Sequence, residues 1–204
     1  AGYYRDNNGY TKNVAHGDQK SSYTNASGVR GKILFEPSES VRFVLSGAHV
    51  YQSDNTAYSY LPLNNNTPFR NSTAAALSRA NSKEYISLNN SPTNTLEFNS
   101  VALNAYISGN WGTVTSITAY AYTKYPFLTD LDGTEVNSQT FVANPQTQET
   151  TSQEFIFASP QWGKFNMVGG LFFYNDDSTT QARILVGGNP LPFPPFQPYV
   201  RVNA

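Results

Sequence analysis

Six stretches of this chain alternate in side-chain polarity with a period of two, and they fall into three pairs joined by very short turns. "SGVRGKILF" (27–35) and "VRFVLSGAHVYQS" (41–53) flank "EPSES". "LEFNSVALNAYISG" (96–109) and "TVTSITAYAYTKY" (113–125) flank "NWG". "TSQEFIFAS" (151–159) and "FNMVGGLFFYND" (165–176) flank "PQWGK". Alternation of this kind belongs to strands, and Gly- or Pro-bearing turns of three to five residues make each pair a hairpin. The expected fold is therefore all-β, an antiparallel meander of about six strands.

The alternation also assigns faces. Odd positions carry Val29, Ile33, Phe35, Val41, Phe43, Leu45, Phe155 and Phe157, while Arg30, Lys32, Arg42 and Glu154 are even. In 113–125, Ile117 and Ala119 are read on the apolar side, opposite Lys124. Leu34, Val44, Val50 and Ile156 fall on the wrong side of this division. A soluble antiparallel sandwich would alternate in the same way, with its apolar face turned inward.

The connections separate the two architectures. Between hairpins, residues 54–95 and 126–150 are long, rich in Asn, Ser and Thr, and poorly periodic. Loops of that length are uncommon in compact soluble domains. Short turns at one end and long loops at the other are the pattern of outer-membrane barrels. Trp111, Tyr125, Phe127, Trp162 and Phe165 fall at strand ends, where amphipathic rings sit at lipid interfaces.

Composition agrees with a low-charge β-protein: charged residues are 13%, about half the usual share, beside 14 Tyr and 13 Phe. A net charge of −1 argues against a nucleic-acid partner, which calls for a basic face. There is no Cys, hence no disulfide framework and no thiolate ligand or nucleophile. The longest apolar run, "MVGGLFFY" at 167–174, is far below the ~20 residues of a membrane helix, whereas a barrel strand needs only ~9–11.

"VRGKILFEPSESVRFVLSGAHV" (29–50), "WGTVTSITAYAYTKYPFLTDLDG" (111–133) and "TSQEFIFASPQWGKFNMVGGLFFYND" (151–176) resemble barrel strands of TonB-dependent receptors, especially the large sphingomonad group. "GYYRDNNGYTKNV" (2–14) is similar to the end of an earlier strand and its loop. The most specific pieces are "TSITAY" (115–120), the Asp130 and Asp132 turn, and the segment around 152–159. Ile156 departs from the pattern, which commonly has a polar or basic residue there.

The resemblance implies a cell outer-membrane location, contact with outer-membrane lipid, and a parent protein coupled to the TonB system. That parent would import a scarce nutrient of the siderophore, cobalamin or saccharide class. Six strands are fewer than the eight of the smallest outer-membrane barrels. Residues 1–204 are accordingly expected to be a partial barrel domain, with the plug and the remaining barrel strands outside it. The alternative is self-association: a receptor-derived fragment stacking in cross-β fashion into an extracellular fibre with a structural role, since unpaired edges on low-charge aromatic strands invite pairing.

No enzymatic constellation emerges. His16 and His49 lack metal-ligand spacing, no "GxSxG" occurs, and "GGNP" (187–190) is not followed by a helix. No catalytic, cofactor or metal residue is assigned. "DLDG" (130–133) with Glu135 superficially looks like a calcium loop, but lacks the third ligand position and the closing Glu of an EF-hand, so an Asp-Gly turn is the favoured reading. Tyr51, Tyr58, Tyr60 and Phe69 are the candidate ligand-stacking aromatics. "STAAALSRANSKEY" (72–85) has the composition and Ser72 or Thr73 cap of a short helix. "GGNPLPFPPFQPY" (187–199) favours an extended polyproline-like run.

Overall fold

A computed structural model of the protein describes residues 1–17, 19–56, 84–187 and 189–190. All six expected strands are present: β4 (Thr24–Ser38), β5 (Val41–Asp54), β7 (Thr93–Gly109), β8 (Gly112–Lys124), β10 (Gln139–Ala158) and β11 (Val168–Val186). Each pairs antiparallel with the next, so the three hairpins lie side by side as a meander. β1 (Gly2–Asn7) adds to the outer edge of β4, and β12 (Asn189–Pro190) folds back on the end of β11.

All three hairpin turns fall at one end of the sheet, and each has a local cause. Between β4 and β5 the register slips by a bulge spanning Phe35 and Ser38, where Pro37 has no N–H to give the ladder. Gly112, just after the two-residue turn Asn110–Trp111, sits at φ 126°, and a Cβ there would meet the Ala158 carbonyl oxygen at 2.3 Å. Only glycine fits both demands. The longest turn, 159–167, is closed by a bridge between Trp162 and Phe165.

The connections from β5 to β7 and from β8 to β10 leave the opposite end: Asp54 is paired with Thr24 and Asn94, and Lys124 with Glu97 and Thr147. Much of 126–150, expected as loop, is strand. β9 (Phe127–Asp130) continues the lane of β8 after a break at Tyr125–Pro126, and β10 begins at Gln139. The early part of β10 reads as loop because Phe141, Val142 and Ala143 run together without alternating, Asn144–Pro145 interrupts the register, and 146–150 are polar on both faces. Its strand geometry is held by the ladder to β11.

The register fixes which side chains share a face. The apolar face gathers Val29, Ile33 and Phe35 with Phe43 and Leu45, Val101 and Leu103, Val114 and Tyr120, Phe155 and Phe157, Leu171 and Phe173. The odd positions of 29–45 and of 151–157 thus lie on one side, as their alternation predicts. In β8 the parity is reversed: Val114, Tyr120 and Tyr122 join the apolar face, while Ile117 and Ala119 lie on the other. The pattern misled there because Tyr rings stand where aliphatic residues were sought. Leu34 is directly opposite Val44, and Val50 opposite Phe98, so these off-pattern residues form cross-strand pairs of their own.

The second face carries two adjoining rungs of small side chains. Arg30 is followed across the strands by Ala48, Ser100, Ala121, Thr150 and Asp176, and Lys32 by Ser46, Ala102, Ala119, Ser152 and Tyr174. We call it the small-residue face.

The buried core lies at the loop end. β2 (Thr11–Asn13), β3 (Gln19–Ser21) and β6 (Tyr85–Ile86) form a small separate sheet there. Among the described residues the buried apolar side chains are Ala26, Ile86, Leu88, Pro92, Val142 and Ala143, whereas Ile33, Phe35, Leu171, Phe172 and Phe173 in the body of the long sheet are each more than 60% exposed.

Candidate functional site

At the loop end, the small-residue face opens into a cleft of about 570 Å³ between β5, β7 and the β8–β9 break. Gln52 and Asp54 enter from β5, and Asn94 and Leu96 from β7. Tyr125, Pro126 and Phe127 form the remaining wall. Its volume is within the range of small-molecule sites.

The cleft's polar groups are organised around one carboxylate. Asp54 Oδ1 accepts from the Asn94 side-chain amide at 2.9 Å and from the Thr56 N–H at 3.1 Å, while Oδ2 accepts from the Gln52 amide at 3.4 Å. The break at Pro126 follows from its missing N–H: the ladder resumes only at Phe127, with the Pro126 carbonyl accepting from Thr95 N–H. Phe127 packs against Phe141 with ring centroids 5.2 Å apart. A carboxylate, two amides and aromatic rings around one concavity suit a polar ligand with an apolar face.

Beside the cleft, residues 129–139 form a tight acidic loop. Asp130 is almost fully buried; its Oδ1 accepts the Gly133 N–H at 2.8 Å, and its Oδ2 has no hydrogen-bond partner. Burial pushes its carboxyl up to about 6, against the Gly133 N–H and with the Asp132 charge adding to the rise. Asp132 Oδ1 accepts from the Thr134 N–H and hydroxyl, and its Oδ2 from the Gln139 N–H at 2.8 Å. Both aspartates therefore serve as turn acceptors. Among the described residues no group of three His, Asp or Glu side chains is placed to hold a metal ion.

A third element ties the loops together. The Asn13 side chain accepts from Leu88 N–H and donates to Leu88 C=O, both at 3.0 Å, imitating a strand rung across buried surface. His16 Nε2 contacts the Asn89 carbonyl at 2.9 Å, and Lys12 lies over the Tyr85 ring.

No family model, curated protein or solved structure matches the chain.

Of the aromatics singled out as ligand contacts, Tyr51 projects from the apolar face, beside Ser27 and Glu97, on the other side of the sheet from the cleft. Tyr58, Tyr60 and Phe69 lie outside the described residues, as do most of 72–85 and 187–199. Tyr85 falls in β6 rather than in a helix. His49 pairs with the Asn99 side chain at 2.7 Å on the apolar face, far from His16. Trp111, Trp162 and Phe165 stand exposed at the turn end, with Trp111 stacked on Phe157. Tyr125 and Phe127, also expected as interfacial rings at strand ends, line the cleft instead, because the odd positions of the β8–β9 lane share the small-residue face with Asp54 and Asn94. Sequence reasoning passed over Gln52, Asp54 and Asn94; their one signal was a cluster of carboxylate and amide residues where strands give way to long loops.

Proposed function

We propose that the chain is a wall segment of an outer-membrane TonB-dependent receptor, with its apolar face toward lipid, its small-residue face toward the barrel interior, and its loop end outside the cell. In this reading the parent protein imports a scarce nutrient, and the chain contributes part of the barrel and of its outer mouth. The observation that carries the reading is the apolar face itself, a band of Val, Ile, Leu and Phe across six strands that no other part of the described chain covers.

Two dimensions support it. From Trp111 to Tyr122 the chain climbs eleven residues, roughly 36 Å at about 3.3 Å each. With the 35–45° strand tilt of barrels this is about 26–29 Å of height, close to the ~25 Å apolar band between aromatic girdles. Trp111, Phe157 and Trp162 stand at the lower border, and Tyr51, Tyr120 and Tyr122 near the upper one. The upper limit of the band is also oblique to the ladder: it reaches the Val29 rung on β4, the Val101–Tyr120 rung on β7 and β8, and only the Phe173 rung on β11. Tilted strands make a horizontal border look oblique in this way.

A second reading, self-assembly into an extracellular fibre, draws on the outer edge of β11. Among the described residues that edge pairs with no strand over 168–184, and "VGGLFFYN" there is uncharged and free of Pro. Blotting native membranes with an antibody against residues 130–138 separates the readings. A detergent-extracted outer-membrane band at receptor length is expected. A short protease-resistant chain in filaments with a ~4.7–4.8 Å meridional repeat would contradict it and establish the fibre.

A further inference from the structure

The two small-residue rungs form a shallow trough, and its charges are sorted. Arg30 and Lys32 stand at the β4 end, facing Ala48 and Ser46 on β5, with Ser100 and Ala102 beyond on β7. With Ala1, Gly31 and Gly47, these residues line an open cleft of about 460 Å³. Arg5, on β1, stands on the same face opposite Ala26. Neither Arg30 nor Lys32 forms an ion pair among the described residues, and both side chains are exposed.

The one acid on these two rungs does not answer those cations. Asp176 ends the Arg30 rung five strands away, which at about 4.8 Å per strand is roughly 24 Å, beyond the ~8–10 Å screening length of physiological salt. It is also engaged nearer home, accepting from Gln148 and Thr150 at 3.1 Å. Small side chains between the two ends leave the cations standing over open space rather than packed stems.

A planar guanidinium and a flexible ammonium over a floor with Ser46 and Ser100 hydroxyls suit an anion with more than one charged oxygen group. Arg offers a two-pronged contact to carboxylate or phosphate, Lys a mobile point charge. We propose that this end of the small-residue face is a binding seat for a small multivalent organic anion, a solute carrying two or more carboxylate or phosphate groups. The cleft volume suits a small solute, which favours a diffusible anion over an acidic protein segment. The proposal rests on the reading of this face as the barrel interior, where such a solute would pass. That reading is tested separately by lipid exposure of the opposite face, so either can fail alone.

The test is calorimetric titration of the detergent-solubilised protein with citrate at low and at physiological ionic strength. Saturable binding that weakens with salt is expected, with at least a ten-fold loss in the paired Arg30→Gln, Lys32→Gln variant. Arg30→Lys, which keeps the charge, should retain most of the affinity and report on folding. Lys124→Gln, on the apolar face at the loop end, should bind as the parent does. Absence of saturable binding, or equal binding by the paired variant, overturns the seat. Binding of a polyglutamate peptide through Arg30 and Lys32 without binding of citrate overturns it too, in favour of an acidic protein segment.

Discussion

Two residues at the loop end hold more structure than their size suggests. Asn13 supplies both halves of a backbone-like rung to Leu88, whose backbone is fully enclosed, and also accepts from Ala15 N–H. Replacing it with Ala strands a buried donor and a buried acceptor, so Asn13→Ala should cost about 2–4 kcal/mol, read as a lower denaturation midpoint for the loop-end sheet. Asp130 works in the opposite sense. Its folded carboxyl titrates near 6 against an ordinary 3.8, so the folded state binds the proton more tightly than the unfolded state. The associated stability is present below about pH 4 and is lost as pH rises through 6. The difference is about 3 kcal/mol. Asp130→Asn keeps an oxygen for the Gly133 N–H and removes the ionisation. Its unfolding midpoint should therefore be flat between pH 4 and 7 where the parent's falls; a parallel fall in both proteins would show that another group is responsible.

At the scale of strands, much is legible in the sequence: three hairpins, their short turns, and long connections at one end. Alternation revealed β4, β5 and the lower part of β10 because they cross the apolar band, where one face must be apolar. It failed where that contrast disappears. The start of β10 reads as loop because Phe141, Val142 and Ala143 run together without alternation and Pro145 follows, and β8 was assigned the wrong parity because Tyr120 and Tyr122 mark its apolar face with rings that carry hydroxyls. The cleft was illegible for a related reason: Asp54 and Asn94 are neighbours only through the β5–β7 register, which no local pattern encodes. The face assignment predicts a sharp asymmetry. Phe43→Arg or Phe155→Arg should cost ~2–4 kcal/mol if these positions lie near a bilayer midplane. Glu154→Ala should cost much less, and Arg42→Ala about 0.5–1 kcal/mol, the value of its stack over the Tyr106 ring at 4.3 Å. Equilibrium unfolding in lipid vesicles measures both; equal losses on the two faces would contradict the assignment.

For the whole molecule, the central fact is where burial is missing. A broad sheet carries Ile33, Phe35, Leu171 and Phe173 in the open while its enclosed apolar residues cluster at one end. Exposed apolar surface of that extent marks an interaction surface, and in the proposed barrel reading the partner is lipid. Because the chain has no native Cys, single cysteines bearing an environment-sensitive fluorophore report each face without background. The most direct measurement places them at Ile33, Phe43, Leu103 and Phe155 on one face and at Ser46, Ala102, Ala119 and Ser152 on the other, in the protein reconstituted into vesicles. The first set should be quenched by lipid-attached nitroxide and shielded from aqueous iodide, and the second set should show the reverse. Equal access of iodide to both sets would contradict a barrel wall.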